Sequence, residues 1–192
     1  MPPPNDDAPG FLPAQRDRED TPYAGAAMDL YLVRHAIAED RDPMQWPDDG
    51  DRPLSAKGIE RFEQEARGLA TLVPEVDVVL ASPYARAWGT AQILTKEAGW
   101  PPPVQSDALR AEHTAEESLA AIEALRGADA IAAVGHEPNL SELASLSVLG
   151  TIALPIEFKK GAVLALTFED AVAPGRAYLR WLLPPKALRS LG

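Results

Sequence analysis

The 192-residue chain contains no cysteine. That absence excludes a disulfide framework, a thiolate nucleophile and a zinc–thiolate site. Histidine is scarce, so any histidine chemistry must come from His35, His113 or His136. Aromatic residues reach only 6%, and nothing marks Trp46 or Trp88 as a base-stacking platform; both read as packing or rim residues. No apolar run is long enough for a membrane span. The first residues lack the basic start and apolar core of a secretory signal, so the expected location is cytoplasmic. Positive charge is also in deficit: 18 Lys and Arg face 29 Asp and Glu, for a net charge of -11. A chain this acidic is not expected to bind nucleic acid or an anionic membrane. Any small cationic cluster in it is a local exception.

What is present fits one domain with a sizeable core: 46% of residues are hydrophobic, an ordinary share for a globular protein. Residues 1–27 stand apart. They hold six of the 19 prolines and the charged run Arg16-Asp17-Arg18-Glu19-Asp20. Such a composition buries too little apolar surface to order itself, so it reads as a disordered tail, or as a misassigned start before Met28. Residues 28–185 read as the domain and 186–192 as a short C-terminal tail.

From Asp29 the pattern alternates. Residues 29–33 read as a strand, and Asp40 to Arg52 as a polar loop. Ser55 caps a helix whose inward positions are Ile59, Phe62, Ala66, Leu69 and Val73. Strands are expected over 76–81 and 130–134, and helices over 84–98 and 114–126. Asn139, with Glu142 three residues on, reads as the cap of a further helix that Gly150 closes. Residues 162–168 and 177–182 read as strands joined through Pro174-Gly175. Strands alternating with helices imply an α/β, three-layer sandwich around a mostly parallel sheet.

Three of these strands end in polar residues: Arg34-His35, Ser82 with Arg86 one helical turn on, and Gly135-His136. Ligands of open α/β sheets bind outside the carboxyl ends of the strands, so the three loops can converge on one pocket. Two arginines, two histidines and a helix N-terminus there suit a phosphoryl group. An unprotonated histidine nitrogen is a competent phosphoryl acceptor. Neither a GxxxxGK[ST] nor a GxGxxG pattern occurs, and the chemistry requires no metal or other cofactor.

Four segments in order resemble the histidine phosphatase superfamily, whose fold is phosphoglycerate mutase-like. They are Leu32-Val33-Arg34-His35-Ala36, Asp51-Arg52-Pro53-Leu54-Ser55, Ala81-Ser82-Pro83 with Arg86 and Thr90, and Gly135-His136-Glu137-Pro138. The short bacterial phosphohistidine phosphatases are the most similar group. The superfamily carries Arg-His-Gly where this chain has Arg34-His35-Ala36. The resemblance implies a metal-independent phosphatase with His35 as the phosphorylated nucleophile, and Arg34, Arg86 and His136 as the phosphate pocket. It sets Arg52 near the pocket mouth and makes Glu112 the candidate proton donor. A phosphate ester leaves as an alkoxide and needs a donated proton. Phosphohistidine leaves as an imidazole of pKa about 6.5, so an acid matters less. The implied partner is a phosphohistidine-bearing protein of a phosphorelay. The alternatives are a small-molecule phosphomonoesterase of the same superfamily and a non-catalytic phosphoprotein-binding module.

Overall fold

The computed structural model describes residues 27–192. The expected tail at 1–27 therefore lies, apart from Ala27, outside the described residues. Six strands form one sheet: β1 (Met28–Arg34), β2 (Val78–Ala81), β3 (Val104–Gln105), β4 (Ala130–Gly135), β5 (Val163–Phe168) and β6 (Ala177–Leu183). Their order is β3-β2-β4-β1-β5-β6. Strands β3, β2, β4 and β1 are mutually parallel, and β5 runs against both β1 and β6. The α/β sandwich with a mostly parallel sheet is thus the observed architecture.

Alternation along the strands divides the core into two halves. Leu30 and Leu32 of β1, with Ile131 and Ala133 of β4, face α3 (Ala115–Glu123) and α4 (Asn139–Leu149). Val33, Ala132 and Val134 face α1 (Ala56–Leu72) and α2 (Ala85–Ile93), which continues as a π-turn over Leu94–Ala98. Strands covered on both faces read as continuous apolar runs, which is why β1 and β4 stand out in the sequence.

Ser55 caps α1, its Oγ accepting from the Gly58 amide at 3.1 Å; such a cap contributes about 1 kcal/mol. The buried face of α1 is Gly58, Phe62, Glu65, Ala66, Gly68 and Leu69. Ile59, expected inside, is 40% exposed. Gly58 takes its place, because a Cβ there would lie 1.9 Å from the Ile37 carbonyl oxygen. That close approach fastens α1 to the loop leaving β1.

Three other elements differ from expectation. Asn139 does not cap α4; Pro138 is the cap residue and makes no side-chain cap bond. Asn139 is instead buried, its Oδ1 accepting from Ser118 at 3.1 Å and its Nδ2 donating to the His113 carbonyl at 2.8 Å. Strand β3, two exposed residues at the sheet edge, is not among the expected strands. The expected tail at 186–192 includes most of a helix, α5 (Pro185–Arg189), which buries Leu188 against α1 and pairs Arg189 with Glu65. The β5–β6 pair does turn through Pro174-Gly175, with Gly175 at φ 69°.

Candidate active site

The sheet order sets the site. Strands β2, β4 and β1 are adjacent and parallel, so the residues that follow them emerge side by side. The Ser82 amide donates to the Val134 carbonyl at 3.0 Å, and the His35 amide to the Gly135 carbonyl at 3.0 Å. His136 therefore leaves the middle strand between Ser82 and His35. Its Nε2 lies 2.9 Å from Ser82 Oγ, and its ring centroid is 5.0 Å from that of His35. Gly135 packs closely under this corner: a Cβ on it would meet Leu140 at 3.2 Å and the Leu109 carbonyl at 3.3 Å.

His35 is 5% exposed. Its Nδ1 is 2.7 Å from the carbonyl oxygen of Ala36. A carbonyl only accepts, so Nδ1 carries the proton and Nε2 keeps its lone pair. Burial, then the charges of Arg86, Arg34 and Lys160, push the imidazole down to about 3, against the smaller opposing effect of the Ala36 bond. His136 is pushed down to about 2 by burial, with His35, Arg86 and Arg34 adding to the effect. Both rings are neutral at physiological pH. Ala36, where the resembled family has glycine, is accommodated without strain. It is buried, and no non-glycine residue among those described has positive φ. Its amide donates to Thr90 Oγ1 at 3.0 Å, and that hydroxyl donates to the Arg86 carbonyl at 2.7 Å. One threonine thus ties the loop after His35 to the helix that carries Arg86.

Arg86 is buried in the first turn of α2. Its Nη1 donates to the Asp49 carbonyl at 2.7 Å, and its Nη2 is 3.2 Å from the Asp49 carboxylate. Asp49 also accepts from Arg52, whose Nε donates at 2.9 Å and Nη2 at 3.3 Å, while Arg52 Nη1 donates to the Glu39 carbonyl at 2.9 Å. These arginines, the Arg52 hydrogen bond foremost, hold the Asp49 carboxyl below its usual range. Arg34 donates to the Phe158 carbonyl. Three buried nitrogens here have no hydrogen-bond partner: Nε of Arg34, Nε of Arg86 and Nδ1 of His136. An unpaired buried donor is costly, and anionic oxygens would satisfy such groups.

Tyr84 forms one wall. Its ring centroid is 5.1 Å from that of His136, and the Arg86 guanidinium lies 5.0 Å from the ring. The Tyr84 hydroxyl donates to Glu112, at 2.9 and 2.8 Å from the two carboxylate oxygens. Glu112 consequently stands at the rim, exposed, with its carboxyl lowered chiefly by that hydrogen bond. The candidate residues Arg34, His35, Arg86 and His136 come together, with Arg52 linked through Asp49. Asp49 and Tyr84 were not anticipated. The acidic run Asp48-Asp49-Gly50-Asp51 before Arg52 was the available signal for Asp49, since an exit-loop arginine needs an anionic brace.

Residues 30–116 match the model of the histidine phosphatase superfamily (branch 1). An uncharacterised protein of Picosynechococcus is 36% identical over 167 residues, covering 82% of this chain and all of that protein. Among solved structures, the protein histidine phosphatase SixA complexed with tungstate matches with a TM-score of 0.74 and 22% identity, over 84% of this chain and 99% of that one. An alpha-ribazole phosphatase from Shigella flexneri matches at 0.61 and 20% identity, over 82% and 97%. The chain belongs to the histidine phosphatase superfamily and is a phosphatase.

Proposed function

We propose that this phosphatase works through a phosphohistidine intermediate on His35 and acts on phosphohistidine carried by another protein. The observation that carries the first half is the state of His35: buried and neutral, with Nδ1 donating to Ala36 and Nε2 unprotonated. In the proposed reaction Nε2 attacks phosphorus in line with the leaving group. Arg34, Arg86 and the unpartnered His136 nitrogen hold the equatorial oxygens, so their charge is already compensated when the transition state forms. Water then attacks the phosphorus of phospho-His35, and the Nε2–P bond breaks to release inorganic phosphate. Arg52 and Asp49 act as the brace that keeps Arg86 aimed.

Glu112 supports the second half. A proton donor for an alkoxide must be protonated near neutral pH. The Tyr84 hydrogen bond holds Glu112 the other way, as an exposed carboxylate. A leaving imidazole tolerates that arrangement better than an alkoxide does. The alpha-ribazole phosphatase on the same fold favours the ester reading as the second choice. The test compares turnover of one phosphohistidine protein and a panel of phosphate esters by wild type and Glu112→Gln. The proposal expects phosphohistidine turnover to change less than about threefold in the variant, below the roughly 10²–10⁴-fold contribution of a working general acid. Efficient ester hydrolysis that collapses in Glu112→Gln, with no phosphohistidine turnover, would overturn it.

A further inference from the structure

A second feature adjoins the pocket and shares only Arg34 with the reaction above. The turn Lys159-Lys160-Gly161 folds back onto the end of β1, the Gly161 amide donating to the carbonyls of Arg34 and His35 at 3.1 and 3.2 Å. Between this turn, the start of α1 and the start of α5 runs an open cavity of about 620 Å³. Its basic lining is Arg34, Arg61, Lys159, Lys160, Lys186 and Arg189, with Glu65 as the single acid. That gathers six of the 18 cationic side chains of a chain carrying net charge -11. Glu65 is buried and already paired with Arg189. Of the remaining cations, Lys159 lies 3.6 Å from the exposed Glu157.

The groove is continuous with the active site. Arg34 and Ala36, the neighbours of His35, both line it, and Ile37 follows. Its cations come from four separate segments: Arg34 from β1, Arg61 from α1, Lys159 and Lys160 from the turn before β5, and Lys186 and Arg189 from α5. Arg61, Lys159, Lys160 and Lys186 are exposed, so their heads lie in solvent, as suits a protein surface laid across them. We infer that this groove docks an acidic segment of the phosphoprotein substrate, aspartates and glutamates flanking the phosphorylated residue, while the phosphoryl group enters the pocket beside His35. The inference rests on the phosphohistidine-protein reading and adds to it where the protein part of the substrate lies and what charge it carries. Like-charged repulsion from the rest of this acidic molecule leaves the groove as the favourable landing face for such a partner.

The test uses two fluorescent peptides with a central phosphohistidine, flanked on both sides by glutamates in one and by glutamines in the other. Binding is read by polarisation with the unphosphorylated forms, and turnover with the phosphorylated forms. Wild type is expected to bind the glutamate peptide about tenfold more tightly at low ionic strength, the sum of several modest exposed charge pairs. Salt at ~0.5 M should bring the two peptides within about twofold. The same loss of preference is expected in Arg61→Gln/Lys159→Gln/Lys186→Gln, whose changed side chains are all exposed. Equal binding of the two peptides by wild type overturns the inference, as does a preference that survives in the triple variant. Binding of inorganic phosphate in the groove without peptide preference also overturns it, making the groove a small-anion site. Charge-selective binding with no phosphohistidine turnover would instead uphold the groove and remove the phosphohistidine reading.

Discussion

Acid should destabilise this fold through two histidines, by an amount that can be worked out. His35 and His136 have folded values of about 3 and about 2, against an ordinary 6.5. In the unfolded chain each imidazole takes up a proton as pH falls through about 6.5. The folded pocket still holds both neutral at pH 5. The unfolded state then binds more protons, so the stabilisation is present in full above about pH 6.5 and drains as pH falls toward the folded values. Between pH 7 and pH 5 each histidine removes about 2 kcal/mol, and the pair about 4 kcal/mol. Glu65 works in the opposite sense. Burial, outweighing Arg189, pushes its carboxyl up to about 7. The folded state therefore gains that proton before the unfolded state does, and acid favours it over the same window. The pair of histidines is isolated by difference. His35→Asn/His136→Asn keeps Glu65 and loses both imidazoles. Urea unfolding followed by tryptophan fluorescence, with Trp100 only 2% exposed, gives stability at each pH. Wild type should lose about 4 kcal/mol more than the double variant on going from pH 7 to pH 5. A difference of about 2 kcal/mol or less, the share of a single ring, would refute the claim that both rings are held neutral.

Three further outcomes are expected. Arg86→Lys should lower kcat/KM on phosphohistidine about 10²-fold, because an ammonium cannot reproduce the planar fork that engages Asp49 and, in the proposed reaction, the phosphoryl oxygens; a change within about threefold would count against the proposed pocket. Tyr84→Phe should let the Glu112 carboxyl rise toward its ordinary value, since the Tyr84 hydroxyl is the main lowering influence; carbon-detected NMR titration reads this directly. Gly161→Ala should cost at least about 1–2 kcal/mol of stability by urea unfolding. Its φ is 81°, and the new Cβ would stand 2.3 Å from the Glu65 carboxylate.

The parts of the fold that were legible in the sequence are those where one strong local force decides. Leu30-Tyr31-Leu32-Val33 and Ala130 to Val134 are apolar on both faces and can only be interior strands. Ser55 has its cap partner three residues away. Strand β3 was not legible because two exposed residues carry no periodicity; only its pairing of Val104 with Leu80 and Gln105 with Ala81 defines it. Helix α5 was hidden by its Pro184-Pro185 entry, and its reason for folding, the burial of Leu188, is tertiary. Asn139 is a favoured cap residue, yet its two bonds to Ser118 and His113 draw it into the core. At the site, Arg34, His35, Arg86 and His136 could be read because charged groups at the ends of apolar strands need a reason. Asp49 could not be assigned, because its loop offers several acids and only folding selects the one that meets both Arg52 and Arg86. Ile59 shows the limit of periodicity: Phe62, Ala66 and Leu69 are buried as expected, but in the first turn the close approach of Gly58 to Ile37 sets Gly58 inward and leaves Ile59 exposed.

The central claim is that Nε2 of His35 takes the phosphoryl group. Rapid quenching of enzyme turning over a ³²P-labelled phosphohistidine peptide, followed by peptide mapping, tests it directly. The account predicts a base-stable, acid-labile label on the peptide containing His35, and in His35→Ala the loss of both label and turnover by at least about 10³-fold. Turnover by His35→Ala close to wild type, or a label that maps to another residue, would contradict it.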